Sequence, residues 1–479
     1  MDKSVYSVDE AVQCVRDGDS IALSGFGVPG SPVHLMRALC ATPVRDVEIV
    51  SNAGGMSAWQ LGQLMQEGRV RRIIASHIGG NKELLRRVGR GEIELELIPQ
   101  GTFAERLRAG GAGIPAFYTP TGVDTWIETG TPMRYAADGS VERRTSPKER
   151  RTFRGVDVVL EQAIIPDVSF IRATVGDRHG NLVYSGSTRN FNTVMAMAGR
   201  TTIAEVERLV EPGEIAPAEV HTPGVFVDTV VEVGVEGKWH ERLVTIDADR
   251  RSDDDPVSLA RRSIAYRAAK DLVQGTYVNL GVGIPTLIPE FLAHDADVHF
   301  QSENGLVGIG PPPTRKTADF DLTNASKEST TLLPGASISD SAVAFAMIRG
   351  GRIDTCVLGA MQVSQTGDLA SWAVPGRAVS GMGGAMDLVA GARRVIVTML
   401  HTDASGAPKI VEECTYPLTG RGVISRIITE LAVIDIGPDG LVLREIAEGV
   451  PVDQVRRATA ADLHVRGEIP SMAAAPTSA

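Results

Sequence analysis

The sequence predicts an α/β protein of two related halves, each a mixed or mostly parallel sheet covered by helices. Three observations lead there. A helix–strand–glycine turn unit occurs twice, strand-like runs alternate with helical spacing through both parts, and a polar stretch separates them.

The first unit opens at Ser7-Val8-Asp9-Glu10, a Ser-x-x-Glu capping box whose side chains can satisfy the free N–H groups of a helix start. Val8, Val12 and Val15 keep helical spacing up to Gly18, a residue suited to a helix C-terminus. Residues 20–23 read as a strand, followed by the turn Gly25-Phe26-Gly27-Val28-Pro29-Gly30. In the second unit Asp255-Pro256 is an N-cap and first-turn pair. Apolar residues at 257, 260, 264, 268 and 272 predict a helix up to Gly275, residues 276–280 a strand, and Gly281-Val282-Gly283-Ile284-Pro285 repeats the turn. Gly25, Gly27 and Pro29 map onto Gly281, Gly283 and Pro285 at one constant offset. Two such units predict related halves facing each other across a cleft.

Further strands are predicted at 156–160, 169–175, 225–231, 354–358 and 394–399, and a hairpin at 432–436 and 441–446 around a Gly-Pro-Asp-Gly turn. The chain divides into a first half at 1–235, a polar linker at 236–255, a second half at 256–466, and an Ala-, Pro- and Ser-rich tail at 467–479 expected to be disordered.

Composition narrows the function. A net charge of −11 over 479 residues opposes non-specific nucleic-acid binding, which needs a basic face. No apolar run reaches the ~18–20 residues of a membrane span, so no membrane partner is expected. The start, Met1-Asp2-Lys3-Ser4, lacks an apolar signal core and the Arg/Ser-rich character of a transit peptide, which makes the cytoplasm the expected location. Cys14, Cys40, Cys356 and Cys414 are too widely spaced for a Cys-x-x-Cys motif and the histidines are scattered, so no metal is expected. The basic cluster at 142–151 reads as a solvated loop.

The chemistry concentrates at Gln301-Ser302-Glu303-Asn304-Gly305-Leu306-Val307-Gly308-Ile309-Gly310-Pro311, which follows the strand-like 298–300. A carboxylate on a sharp turn at a strand end is displayed to a cleft. The counterpart after residues 47–50 is Ser51-Asn52-Ala53-Gly54-Gly55, without the acid. Asn279 is a polar residue inside an apolar strand, where the first half has Leu23, and must find a partner.

Ser-Glu-Asn-Gly followed by Gly-x-Gly-Pro resembles the glutamate motif of class I CoA transferases, in the branch that uses succinyl-CoA and 3-oxo acids with α-type and β-type parts fused on one chain. The resemblance extends through Ile98-Pro99-Gln100-Gly101-Thr102, 108–113, 115–120, Ser187-Thr188-Arg189-Asn190-Phe191-Asn192, 361–364 and Gly381-Met382-Gly383-Gly384-Ala385-Met386-Asp387, nearly the whole chain. It implies that Glu303 is a nucleophile that carries CoA as a thioester, a ping-pong reaction in which CoA is substrate and no cofactor is needed. It implies oxyanion donors in the Gln100 amide and the backbone around Gly383 and Gly384. It places Asn279, Gly281, Gly283, Asn304, Gly305, Lys327 and Asn52 at the CoA or substrate site. The partners it implies are acyl-CoA, small carboxylic acids such as acetoacetate, and a second copy in a homodimer or larger homo-oligomer. A glutamate with an ordinary pKa of ~4.3 would be ionised at neutral pH without a general base. Three other readings stand beside it: a relative acting on acetate, butyrate or 3-oxoadipate, an acyl-CoA hydrolase using the same Glu303, and a dinucleotide-binding oxidoreductase suggested by Gly25-x-Gly27-x-x-Gly30 with Asp46 or Glu48 beyond it.

Overall fold

A computed structural model describes residues 1–55, 60–246, 255–293 and 295–473. Among them, the first half builds a nine-stranded sheet in the order Ser4–Val5, Thr229–Glu232, Thr201–Val210, Val168–Asp177, Ser20–Leu23, Val47–Ser51, Val70–Ala75 and Glu94–Leu97, with Leu182–Val183 paired to Val168–Asp177. Every pairing along that order is parallel. The second half builds a ten-stranded sheet in the order Leu332–Ile338, Leu306–Ile309, Val298–Gln301, Thr276–Leu280, Thr355–Leu358, Arg394–Thr398, Arg426–Ile428, Ala432–Gly437, Gly440–Ile446 and Leu463–His464. Its centre is parallel, while antiparallel pairs lie towards both sides. Runs such as Ile21–Leu23 and Thr355–Leu358 are buried throughout, as strands covered on both faces require.

The repeat is visible in register. Leu23 pairs with Ser51 as Asn279 pairs with Gln301, so Ala53 of the first half corresponds to Glu303 of the second. Most predicted elements stand, including the 432–446 hairpin. Three differ in detail. The first helix is one turn, Val8–Ala11, continued by a short 3-10 turn; Ser7 accepts from Glu10 N–H, but the Glu10 carboxylate reaches back to Tyr6 N–H rather than to Ser7. In the helix Pro256–Ala269, capped by Asp255, Val257 is exposed while Ile264, Ala265 and Ala268 enter the core. The predicted strand at 225–231 is a 3-10 turn at Gly224–Phe226 followed by the strand Thr229–Glu232, because Val225 faces solvent.

The halves share a core. The helix Gln100–Gly111 packs between Asn192–Ala198 of its own half and Ser341–Arg349 of the other, joining Phe103, Leu107 and Phe191 to Ala342, Phe345 and Ile348 in one apolar cluster. The predicted linker lies partly outside the described residues, at 247–254, as do the last six residues of the predicted tail. The described part of the linker packs against both halves: Lys238 pairs with Glu207 and Asp321, and His240 stacks on Phe320. The basic stretch at 142–151 is neutralised locally, with Arg143 on Glu94, Lys148 on Glu161, and Arg150 on Asp124, Glu128 and Asp157.

Gly101 marks a close contact between the halves. A β-carbon there would stand 2.5 Å from Asp387 Oδ1 and 2.6 Å from Phe345 Cδ1, inside contact distance of both. Gly101→Ala is expected to destabilise the fold by about 1–3 kcal/mol through overpacking. A thermal melt reads this as a lowered Tm, and an unchanged Tm would show that the interface yields freely.

Candidate active site

Parallel sheets present ligand sites at the carboxyl ends of their strands. In the first half those ends lead to Gly25 and Gly27, to Asn52, to Ser76 and to Gln100; in the second they lead to Gly281 and to Glu303. The two sets meet in one cleft.

Glu303 sits on the hairpin turn between Val298–Gln301 and Leu306–Ile309. Gly305 N–H donates to Ser302 O at 3.0 Å, and Gly305 itself has φ +108°, a conformation that favours glycine. A β-carbon on Gly305 would collide with the Ser339 carbonyl, so this glycine serves the turn. Asn304 serves it too: fully buried, it accepts from Ser302 Oγ at 2.7 Å and donates to the Thr323 carbonyl at 2.6 Å. Both ends of its side chain are thereby engaged within the protein.

The Glu303 carboxyl is buried, 8% exposed, and lies against Gly384, where a β-carbon would stand 3.2 Å from Oε1 and 3.3 Å from Cγ. A side chain at Gly384 would crowd the Glu303 carboxyl. Gly383 N–H donates to Ser76 O at 3.1 Å, which leaves Gly384 N–H as the better-placed donor of the two. Gly383 O accepts from Gln100 N–H at 3.0 Å, so the turn carrying Gly384 and the helix carrying Gln100 are tied directly. The Gln100 amide donates to Asn52 Oδ1 at 2.8 Å, and Asn52 Oδ1 also accepts from Ser76 Oγ at 2.9 Å. Asn52 therefore aims Gln100, whose amide keeps a second N–H for an oxyanion.

Asn279 is completely buried and donates to Gln301 Oε1 at 2.8 Å, while its Oδ1 has no partner within the protein. This buried acceptor adjoins Glu303. Gly281 packs on the neighbouring strand, its N–H donating to Val357 O at 2.8 Å. Gly283, at φ +103°, lies beside exposed Val282, with Arg261 Nη2 3.8 Å from where a β-carbon would stand. Lys327, also at positive φ, stands across from Gly27.

Burial corrects the expectation of an ordinary carboxylate. Loss of solvent raises the Glu303 pKa to about 7, helped by the like charge of Asp387 and opposed by its own backbone N–H and by Asn279. Asp387 was legible only as part of a motif, yet it joins the halves. From the helix Ala385–Gly391 it accepts from Gly101 N–H at 2.8 Å and from Thr121 Oγ1 at 3.2 Å. Burial raises its pKa to about 6, with Arg349 opposing. The sign that marked it was an acidic residue enclosed by Ala385, Met386, Leu388 and Val389.

The glycine turn read as a dinucleotide motif is filled from within. A β-carbon on Gly25 would strike Ser31, and one on Gly30 would strike Asn192 and the Thr188 carbonyl. Glu48, one of the two acidic residues proposed for a ribose, pairs with Arg72 at 3.1 Å. This glycine pattern is turn chemistry.

The model of the coenzyme A transferase family matches residues 5–233 and 261–458. The human protein named succinyl-CoA:3-ketoacid coenzyme A transferase 2, mitochondrial, is 45% identical over 94% of this chain and 87% of its own length. A Helicobacter pylori protein, named as one of the subunits of a succinyl-CoA:3-ketoacid coenzyme A transferase, is 52% identical over 43% of this chain and 99% of its own, as expected where two parts are joined in one polypeptide. The crystal structure of an acyl-CoA transferase apoenzyme from Escherichia coli O157:H7 covers 98% of this chain and 95% of its own, with a TM-score of 0.79 at 24% identity, a likeness of fold. The human relative and its mouse counterparts are designated mitochondrial, which overturns the cytoplasmic expectation.

If the ionised Glu303 attacks, the rate of the first half-reaction rises with pH through a midpoint near 7 and falls as the carboxylate is protonated below it. Asp387→Asn removes the neighbouring like charge and is expected to move that midpoint to lower pH. Rapid-mixing measurements of CoA release against pH check both, and an unmoved midpoint would separate Asp387 from the electrostatics of Glu303.

Proposed function

The chain belongs to the coenzyme A transferase family, and we propose that it moves CoA from succinyl-CoA to a 3-oxo acid such as acetoacetate, with Glu303 as the covalent carrier. The observation that carries this reading is a lone buried carboxyl on a turn, pressed against Gly384 and joined through Gly383 to Gln100 of the other half. A carboxylate suits the task because it forms both an anhydride and a thioester.

Glu303 attacks the succinyl thioester carbonyl, the carbon–sulfur bond breaks, and CoA leaves as thiolate from a glutamyl–succinyl anhydride. The thiolate then attacks the glutamyl carbonyl, succinate departs, and CoA remains as a glutamyl thioester. A 3-oxo acid attacks that thioester through its carboxylate, releasing CoA thiolate and forming a second anhydride. The thiolate attacks the 3-oxoacyl carbonyl, which releases 3-oxoacyl-CoA and restores Glu303. Each addition builds an oxyanion, for which the free N–H of the Gln100 amide and the Gly384 N–H are the donors. Nothing in the sequence calls for a metal or cofactor, since CoA is itself a substrate. The assembly we propose is a homodimer or larger homo-oligomer.

Two properties of Glu303→Gln test the carrier. Transfer is expected to fall by several orders of magnitude. Stability is expected to move the other way. The raised pKa means that the folded chain holds the proton more tightly than the unfolded one, so ionisation of Glu303 progressively costs stability as pH rises from 4.5 past about 7. The Gln variant therefore melts higher than the parent above pH 7 and alike below about pH 4.5. In the parent, acyl-CoA without acceptor followed by borohydride should reduce the glutamyl thioester to an alcohol, with the mass change on the peptide holding Ser302-Glu303-Asn304. Modification of another carboxylate would relocate the nucleophile, and rapid CoA release with no acceptor dependence would make the enzyme a hydrolase.

A further inference from the structure

The first-half strand ends enclose a cavity lined by Ser24, Gly25, Gly27, Ser31, Ser51 and Ala53 among small and apolar groups. Its charged lining residues are Lys327 and Glu241, and they are bonded to each other, Nζ to Oε1 at 2.7 Å. Lys327 belongs to a hairpin of the second half that is tied to the nucleophile turn by the hydrogen bond from Asn304 to Thr323 O. Ser51 immediately precedes Asn52, the residue that aims Gln100.

Glu241 comes from neither sheet. It is carried by the segment that joins the halves, which lies as a strap across the 320–330 loop. Lys238 pairs with Asp321 at 2.6 Å, His240 stacks on Phe320 with ring centres 4.4 Å apart, Arg242 pairs with Glu328 at 2.9 Å, and Arg242 O accepts from Ser329 N–H at 3.2 Å. The strap lays the Glu241 carboxylate against Gly27, where a β-carbon would collide with it; a glycine there admits the acid.

We propose that Glu241 is an internal stand-in for a substrate carboxylate: it holds Lys327 in the resting enzyme and gives way to the far carboxylate of a dicarboxylic acid. This rests on the transfer reaction proposed above. Of its two acids, succinate has a second carboxylate to offer Lys327, whereas a 3-oxo acid offers a neutral carbonyl at the corresponding end. A carboxylate competes with Glu241 on equal terms, and a carbonyl does so weakly. Glu241 thereby becomes a positioning and specificity-determining residue on the connector between the halves.

The test is Glu241→Gln in the full-length enzyme, with KM and kcat for succinate and acetoacetate and calorimetric binding of succinate. Removing the competitor of a partly exposed ion pair is expected to lower the succinate KM and Kd roughly threefold to tenfold, with a smaller change for acetoacetate and little change in kcat. In a Lys327→Met background the Glu241→Gln effect is expected to vanish. Equal changes for both acids, a weaker succinate Kd, or an effect that persists without Lys327 would overturn the proposal. If the Gln variant does not fold, Glu241→Asp, which keeps the charge and shortens its reach, is read by the same criteria. Absence of transfer by the parent enzyme would refute the reaction instead, and the succinate calorimetry would still decide the role of Glu241.

Discussion

The hydrogen bond from Gly101 N–H to Asp387, made across the cleft, sets the geometry on which the site depends. It holds the start of the Gln100 helix against the helix that begins after Gly384, so the two proposed oxyanion donors are brought together from opposite halves. Gly101 has no side chain because Asp387 and Phe345 occupy its place, while at Gly384 a β-carbon would crowd Glu303. Close approach rather than backbone conformation favours glycine at both positions, one in each half.

The same junction explains the electrostatics. Asp387 and Glu303 are both buried, and both have raised pKa values because water that would stabilise their charged forms is excluded. For Asp387 the backbone N–H of Gly101, the hydroxyl of Thr121 and the field of Arg349 oppose that shift. For Glu303 the opposing groups are fewer, its own backbone N–H and Asn279. The chain leaves the nucleophile the less compensated of the two, and a poorly solvated carboxylate is a better nucleophile than a hydrated one. The stability lost by burying it is carried by the core shared between the halves.

The connector between the halves takes part in this arrangement. A polar stretch in a sequence reads as a tether, yet Lys238, His240 and Arg242 each meet a partner on the surface they cross. Linking the halves in one chain therefore does more than keep them together. It brings Glu241 to a cation lining the cavity at the first-half strand ends.

The sequence by itself determined the class of fold and the repeat, and it singled out Glu303 as the candidate nucleophile. Those features are local: helix caps, apolar spacing and glycine turns depend on residues a few positions apart, and Ser302-Glu303-Asn304-Gly305 stands out against its own counterpart, Asn52-Ala53-Gly54-Gly55. Tertiary structure alone decided the rest. The ionisation of Glu303 depends on burial by Gly384 and on a charge 84 positions away; the aim of Gln100 depends on Asn52, 48 positions before it; and the partner of Lys327 arrives from 86 positions earlier. Asp387 is one residue of a motif in the sequence, and only the fold puts Gly101 N–H and Thr121 Oγ1 on its carboxyl. Electrostatic shifts and side-chain aim are properties of what lies within a few ångströms in space, and no local pattern in the chain encodes which distant residues those will be.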